Sequence, residues 1–112
     1  MRLYKKKINR KFFGSKYAKK KIKDCANIFL NSNEQVSFIT GDKKQYDFTK
    51  TDWGFYATPS INKRLKENKL SAYIVKNTYN SRIFVLVVEN KKKKKFFKYL
   101  KDEKLKILPW PK

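Results

Sequence analysis

Three aspartates, Asp42, Asp47 and Asp52, recur every five residues in the middle of this 112-residue chain, and one cysteine, Cys25, lies upstream of them. Evenly spaced carboxylates can ligate a cation, but the ligand spacing and closing glutamate of a calcium loop are missing. The aspartates read instead as turn formers and local partners for Lys43, Lys44 and Lys50. The chain has no histidine, so the commonest general base and metal ligand is absent. One thiol without imidazole makes no zinc set. Gly14, Gly41 and Gly54 stand apart and form neither a phosphate loop nor a dinucleotide motif. The expectation is a non-catalytic protein with no catalytic, cofactor or metal site. Cys25 is expected to be a small core residue.

The chemistry that remains is electrostatic. The formal net charge is +21, from 30 Lys and Arg against nine acids. Lysine outnumbers arginine 26 to 4, a bias that AT-rich codons would favour. Acidic codons suffer little under the same bias, so the scarcity of acids needs another reason. The charge is also uneven: residues 1–31 carry a net +10, residues 32–90 a net +3 and residues 91–112 a net +8. A nearly neutral middle with basic ends points to an anionic partner, nucleic acid first. Lys5, Lys6 and Lys7, then Lys19, Lys20 and Lys21, then Lys91, Lys92, Lys93, Lys94 and Lys95 are the expected phosphate contacts. The last run opens a helix, where five cations oppose the macrodipole unless an anion offsets them. Lysine is a point charge, and only four arginines are present for bidentate base contacts, so sequence specificity should be weak.

A second candidate lies in Asp52-Trp-Gly-Phe-Tyr-Ala-Thr-Pro-Ser-Ile-Asn-Lys-Arg-Leu65. Thr58 suits a helix N-cap and Pro59 the first helical turn. Exposed N–H groups there, with the Thr58 and Ser60 hydroxyls, Lys63 and Arg64, would form an anion site. Trp53, Phe55 and Tyr56 have two readings. They stack on bases, or they plug the end of a small core, where a small domain uses most of its aromatics.

These candidates must be positioned by a chain with room for one modest core. Residues 1–13 read as a basic arm, and residues 14–112 as a single α+β domain. Ala18, Ile22, Cys25, Ala26 and Phe29 recur at helical spacing and predict a basic amphipathic helix over 15–31. Strands are expected at 35–40, briefly at 46–48, and at 70–76, 82–89 and 104–108. Helices are expected at 59–68 and 91–102, with Asn90 as the cap of the second. After the N-terminal basic helix this order is βαββαβ over residues 35–110, a ferredoxin-like domain with a four-stranded antiparallel sheet. The run Ile83–Val88 is apolar on both faces, so the face away from the helices should be covered by the N-terminal helix or a second copy. The corresponding strand lacks the glycine and second aromatic that ferredoxin-like RNA binders use for stacking.

The functional expectation is therefore a small basic protein that binds nucleic acid, RNA ahead of DNA, mainly through phosphates. The alternative is a protein-interaction or small-ligand module whose basic ends contact an acidic protein or an anionic membrane surface. A monomer or homodimer fits either. The longest apolar run is far too short to span a bilayer, no signal-peptide pattern is seen and no intramolecular disulfide can form, so a cytoplasmic location is expected.

Overall fold

The structure is a computed structural model that describes residues 1–13 and 20–110, with side chains over 1–6 and 22–110. Its contacts divide into two units, Met1–Thr58 and Pro59–Lys112.

The first unit opens with a long antiparallel ribbon. Strand β1, Arg2–Phe13, pairs with β2, Lys20–Phe29. The basic arm is thus a strand. The expected helix over 15–31 is also overturned, because its described part is β2; Ser15 and Ala18 lie outside the described residues. The physical reason is a double periodicity. Ile22, Ala26 and Phe29 fit a helical stripe, but Ile22, Asp24, Ala26 and Ile28 equally fit one face of a strand. Asp24, Cys25, Asn27, Ile28 and Phe29 are mediocre helix formers, and β1 supplies the ladder that a strand requires. The register shifts between Lys5 and Asn9: Lys5 pairs with Ala26 and Asn9 with Asp24. Lys6, Lys7 and Ile8 therefore oppose Cys25 alone, a bulge that bends and twists the ribbon. Lys6 is anchored there by a 2.6 Å ion pair with Asp24. At the other end Tyr4 and Phe29 meet edge to face at 5.4 Å.

A three-stranded meander follows: β3 (Gln35–Ile39), β4 (Gln45–Thr51) and β5 (Gly54–Ala57), in that spatial order. Glu34 closes the preceding turn. Its carboxylate accepts the Asn31 N–H at 2.8 Å and the Met1 ammonium at 3.0 Å. The backbone hydrogen bond first, and the ammonium second, hold its pKa below the ordinary carboxylate value. β4 is longer than the expected 46–48, and β5 replaces an expected loop. The link between them is only Asp52 and Trp53, and Gly54 has φ 150°. That backbone region is nearly closed to other residues, so glycine is needed for its conformation rather than for space.

The second unit contains α1 (Arg64–Glu67), β6 (Leu70–Asn77), β7 (Ile83–Glu89), a 3-10 turn at Asn90–Lys92, α2 (Lys93–Asp102) and β8 (Leu105–Leu108). The sheet order is β7-β6-β8, with β6 antiparallel to both neighbours. β7, α2 and β8 therefore form a βαβ unit split by β6. This three-stranded sheet overturns the expected four-stranded ferredoxin-like one. That arrangement needs β3 in the same sheet, but β3 pairs with β4 across a five-residue link, residues 40–44. A local hairpin costs less chain entropy than a distant pairing.

The helices are shorter than expected for local reasons. Ser60 takes over the bonds of the first predicted turn: its carbonyl accepts the Leu65 N–H at 2.9 Å and its hydroxyl accepts the Arg64 N–H at 3.2 Å. Helix 59–68 is thereby reduced to the four residues of α1. Asn90 does not cap α2, because its side-chain oxygen accepts the Ser71 hydroxyl at 2.6 Å. The α2 N-cap position is Lys92, without a side-chain cap.

One face of the sheet packs on α2 through a core of Val75, Val88, Phe96 and Leu100, flanked by Tyr73, Leu86 and Leu105. Leu70 and Ala72 alternate with Tyr73 and so belong to the opposite face; they are buried, as is Leu65 of α1, which packs against β6. Farther along β7, Ile83 and Val85 remain exposed. Among the described residues no N-terminal helix is present to cover them, contrary to the sequence expectation.

Candidate nucleic-acid interface

Cations line the ribbon because its two strands are written in lysine. Six of the twelve residues of β1 and three of the ten of β2 are Lys or Arg, against the single acid Asp24. Arg2, Lys5 and Lys23 are exposed. Lys6 is half-buried and engaged by Asp24, so its charge is already partly spent. Lys7 lies in β1, and Lys20 and Lys21 in β2, while Lys19 lies outside the described residues. In backbone register Arg10 sits opposite Lys23, and like charges at paired positions disfavour a sheet. The expected grouping of Lys5–Lys7 with Lys19–Lys21 is thus brought onto one ribbon instead of an arm and a helix, as far as residues are described.

The lysine run of the second unit is less uniform than its sequence. Lys92 pairs with Glu89 at 3.4 Å, and Lys93 is half-buried, whereas Lys91, Lys94 and Lys95 are exposed. Phe96 and Leu100 turn one side of α2 into the core. Lys94, Lys98 and Lys101, spaced at helical periodicity, share an exposed side. Lys98 and Lys101 were not among the sequence candidates, and their spacing from Lys94 was the available signal.

The Asp52–Leu65 stretch is divided. The Thr58 hydroxyl lies 3.1 Å from that of Thr49 and 3.4 Å from Gln35 Oε1. It is tied into the meander and not a helix cap. Ser60 closes the turn before α1, and Lys63 and Arg64 are exposed beside it. A four-residue helix supplies no aligned row of N–H groups, so the expected anion cradle at residue 59 is absent. Trp53 is at the tip of the β4–β5 hairpin and is 75% exposed, and Phe55 and Tyr56 are exposed too. None of the three plugs a core. Phe55 and Tyr56 are adjacent on β5 and point to opposite faces.

Two other sequence expectations change. Asp42 and Asp52 occupy turns, but Asp47 is buried in β4, where its Oδ1 accepts from Ser37 Oγ at 2.5 Å and Gln45 Nε2 at 2.8 Å. Among the described residues no group of three or more His, Cys, Asp or Glu side chains is placed to hold a metal. Cys25 is exposed on β2, opposite the bulge, and not a core residue. In the native protein it is expected to react with a maleimide about as fast as in the unfolded chain. A thiol that labels only in denaturant would contradict its exposed place on β2.

A cleft of about 750 Å³ lies at the open end of the ribbon, lined by Met1, Arg2, Tyr4, Asn27, Phe29, Leu30 and Asn31. Arg2 is its one side-chain cation. Among the described residues no helix is long and apolar enough to cross a membrane. No protein-family model matches the chain, and neither a curated protein nor a solved structure matches it.

Proposed function

We propose that this protein binds nucleic acid, RNA in preference to DNA, through phosphate contacts made by the β1–β2 ribbon and supplemented by the outer side of α2. The observation that carries this reading is the density of cations on a two-stranded element. A ribbon built to stand alone would mix charges of both signs; this one sets nine cations against one acid. Lysine dominates the set, so binding is mainly non-specific and register is set by the backbone. A chain with one exposed thiol suits a reducing compartment, and we place the activity in the cytoplasm.

The test is the salt dependence of affinity for a labelled single-stranded RNA. If about five phosphates are neutralised, affinity falls roughly a hundredfold between ~50 and ~200 mM monovalent salt. Absence of binding at ~50 mM, or affinity indifferent to salt, defeats the reading. Co-sedimentation with anionic but not neutral vesicles, without RNA binding, would assign the charge to a membrane surface instead.

A further inference from the structure

The meander β3-β4-β5 is amphipathic in an unusual sense. Paired residues share a face, so Val36 with Phe48, Phe38 with Tyr46, and Lys50 with Phe55 define one side of the sheet. Gln35, Ser37, Gln45, Asp47, Thr49, Thr51 and Tyr56 define the other, together with Ile39 at its end. In a soluble sheet the apolar side normally turns inward. Here the only buried side chain of the three strands is Asp47, at 2% exposure, on the polar side. On the aromatic side Phe38 is 51% exposed and Phe55 66%.

The exposed rings are held in place by their neighbours. Phe48 sits between Phe38, 6.0 Å away, and Tyr46, 5.2 Å away, both in edge-to-face contact. Tyr46 is buried enough that its phenol pKa is raised. Phe55 has the Lys50 ammonium 5.9 Å from its ring centre, and Lys50 is fastened by donating to the Thr51 carbonyl. The result is a supported aromatic surface with two outward rings, on the outer strands β3 and β5, and one cation between the strands that carry them. Strand spacing sets β3 and β5 about 10 Å apart, and their partners Tyr46 and Lys50 are four residues apart on β4, so the positions of Phe38 and Phe55 are separated by about 17 Å.

We propose that this face is a stacking platform for single-stranded nucleic acid, with Phe38 and Phe55 each receiving a base and Lys50 meeting the backbone beside Phe55. The proposal rests on the nucleic-acid reading and narrows its substrate class. A duplex hides its base faces in its own stack, so only an unpaired strand can use flat exposed rings. Charge selects this occupant over a second copy of the chain, since each copy carries +21. It also explains why lysine and not a carboxylate stands beside Phe55: the partner presents a phosphate next to every π-face.

The experiment compares a labelled single-stranded RNA with a duplex of the same length, using the full chain and the double variant Phe38→Leu, Phe55→Leu. Leucine keeps the face apolar and removes the rings, and circular dichroism verifies that the fold is kept. Stacking is worth enough per base that the double variant should lose roughly tenfold or more in affinity for the single strand. Its affinity for the duplex and its salt slope should be unchanged, because phosphate contacts on the ribbon remain. A photo-crosslink from iodouridine-substituted RNA should map to Phe38 or Phe55. Equal loss for both nucleic acids, or no loss for either, overturns the platform while leaving the nucleic-acid reading intact. Failure of the unmodified chain to bind either RNA overturns that reading as well. A wild-type dimer in sedimentation that the double variant dissociates would make the face a self-interface and overturn the proposal.

Discussion

Replacing Arg2, Lys5 and Lys23 together with glutamine is expected to weaken single-stranded RNA binding by roughly several hundredfold at ~50 mM salt, and to lower the logarithmic salt slope by about two. All three residues are exposed, and none contributes to a core, so the loss should come without unfolding. The estimate follows from counterion release. Each phosphate neutralised on a single strand contributes about 0.7 to the slope, and extrapolating that slope gives somewhat under tenfold per contact at this salt. A matched control removes three exposed charges that belong to neither proposed surface, by Lys43→Gln, Lys66→Gln and Lys106→Gln. The two variants have the same net charge, so the general attraction of a cationic protein falls equally in both. A clearly larger loss from the ribbon variant assigns the contacts to the ribbon. Equal losses would mean that only the overall field matters, and the ribbon would lose its special role. Lys6→Gln should behave differently from its neighbours. Its ammonium is already 2.6 Å from Asp24, so the change should cost little affinity and act instead on the bulge.

Phe96→Ala is expected to destabilise the second unit by about 3–5 kcal/mol. Phe96 is buried with Val75, Val88 and Leu100, and it contacts Tyr73 at 5.0 Å and Phe97 at 5.7 Å between ring centres. Removing it takes away apolar burial, two ring contacts and the piece that joins α2 to the sheet. So few buried residues hold the helix down that little can collapse into the space left behind. For a domain of this size each 1 kcal/mol lowers the melting temperature by roughly 4–8 °C, so a drop on the order of 15 °C or more should be visible by circular dichroism. Phe97→Ala is the natural comparison, because Phe97 is exposed and its loss should cost much less. A Phe96 variant that melts within a few degrees of the wild type would show that this cluster is not what holds α2 to the sheet.

How much was legible can be judged element by element. In the second unit the strands Leu70–Asn77, Ile83–Glu89 and Leu105–Leu108 and the helix Lys93–Asp102 were each anticipated to within about two residues. Val, Ile and Leu runs bounded by Asn-Thr-Tyr-Asn-Ser, and Phe96 four residues before Leu100, carry the period of their own structure. The ribbon was not legible. Residues 20–29 fit either period, and the choice belongs to β1, a strand separated from β2 by an intervening stretch of chain. β5 was missed for a related reason: Gly54 and Asp52 look like loop punctuation until β4 is there to pair with them. The cationic stretches were legible because charge is additive along a chain. The aromatic face of the meander was only half legible. Phe55 was named, but Phe38, Tyr46 and Phe48 were read as ordinary strand residues and Lys50 as a local partner of the aspartates. Their sharing of one face depends on the registers Phe38↔Tyr46 and Lys50↔Phe55, which no local pattern contains.

The amino-acid sequence by itself determined the charge and its concentration toward the two ends, the absence of imidazole chemistry, and the local elements of residues 70–108. These are properties of composition or of short-range periodicity. Only the tertiary structure decided that residues 2–29 form a ribbon and that the sheet of the second unit has three strands. It alone put Asp47 inward while Phe38 and Phe55 face solvent. Each of these turns on which strand pairs with which, and pairing is set by competition between partners distant along the chain. In Trp53-Gly-Phe-Tyr56 the same rule operates at the smallest scale. Adjacent residues of a strand point oppositely, so once β4 claims β5, Phe55 joins the aromatic face and Tyr56 is carried to the other side.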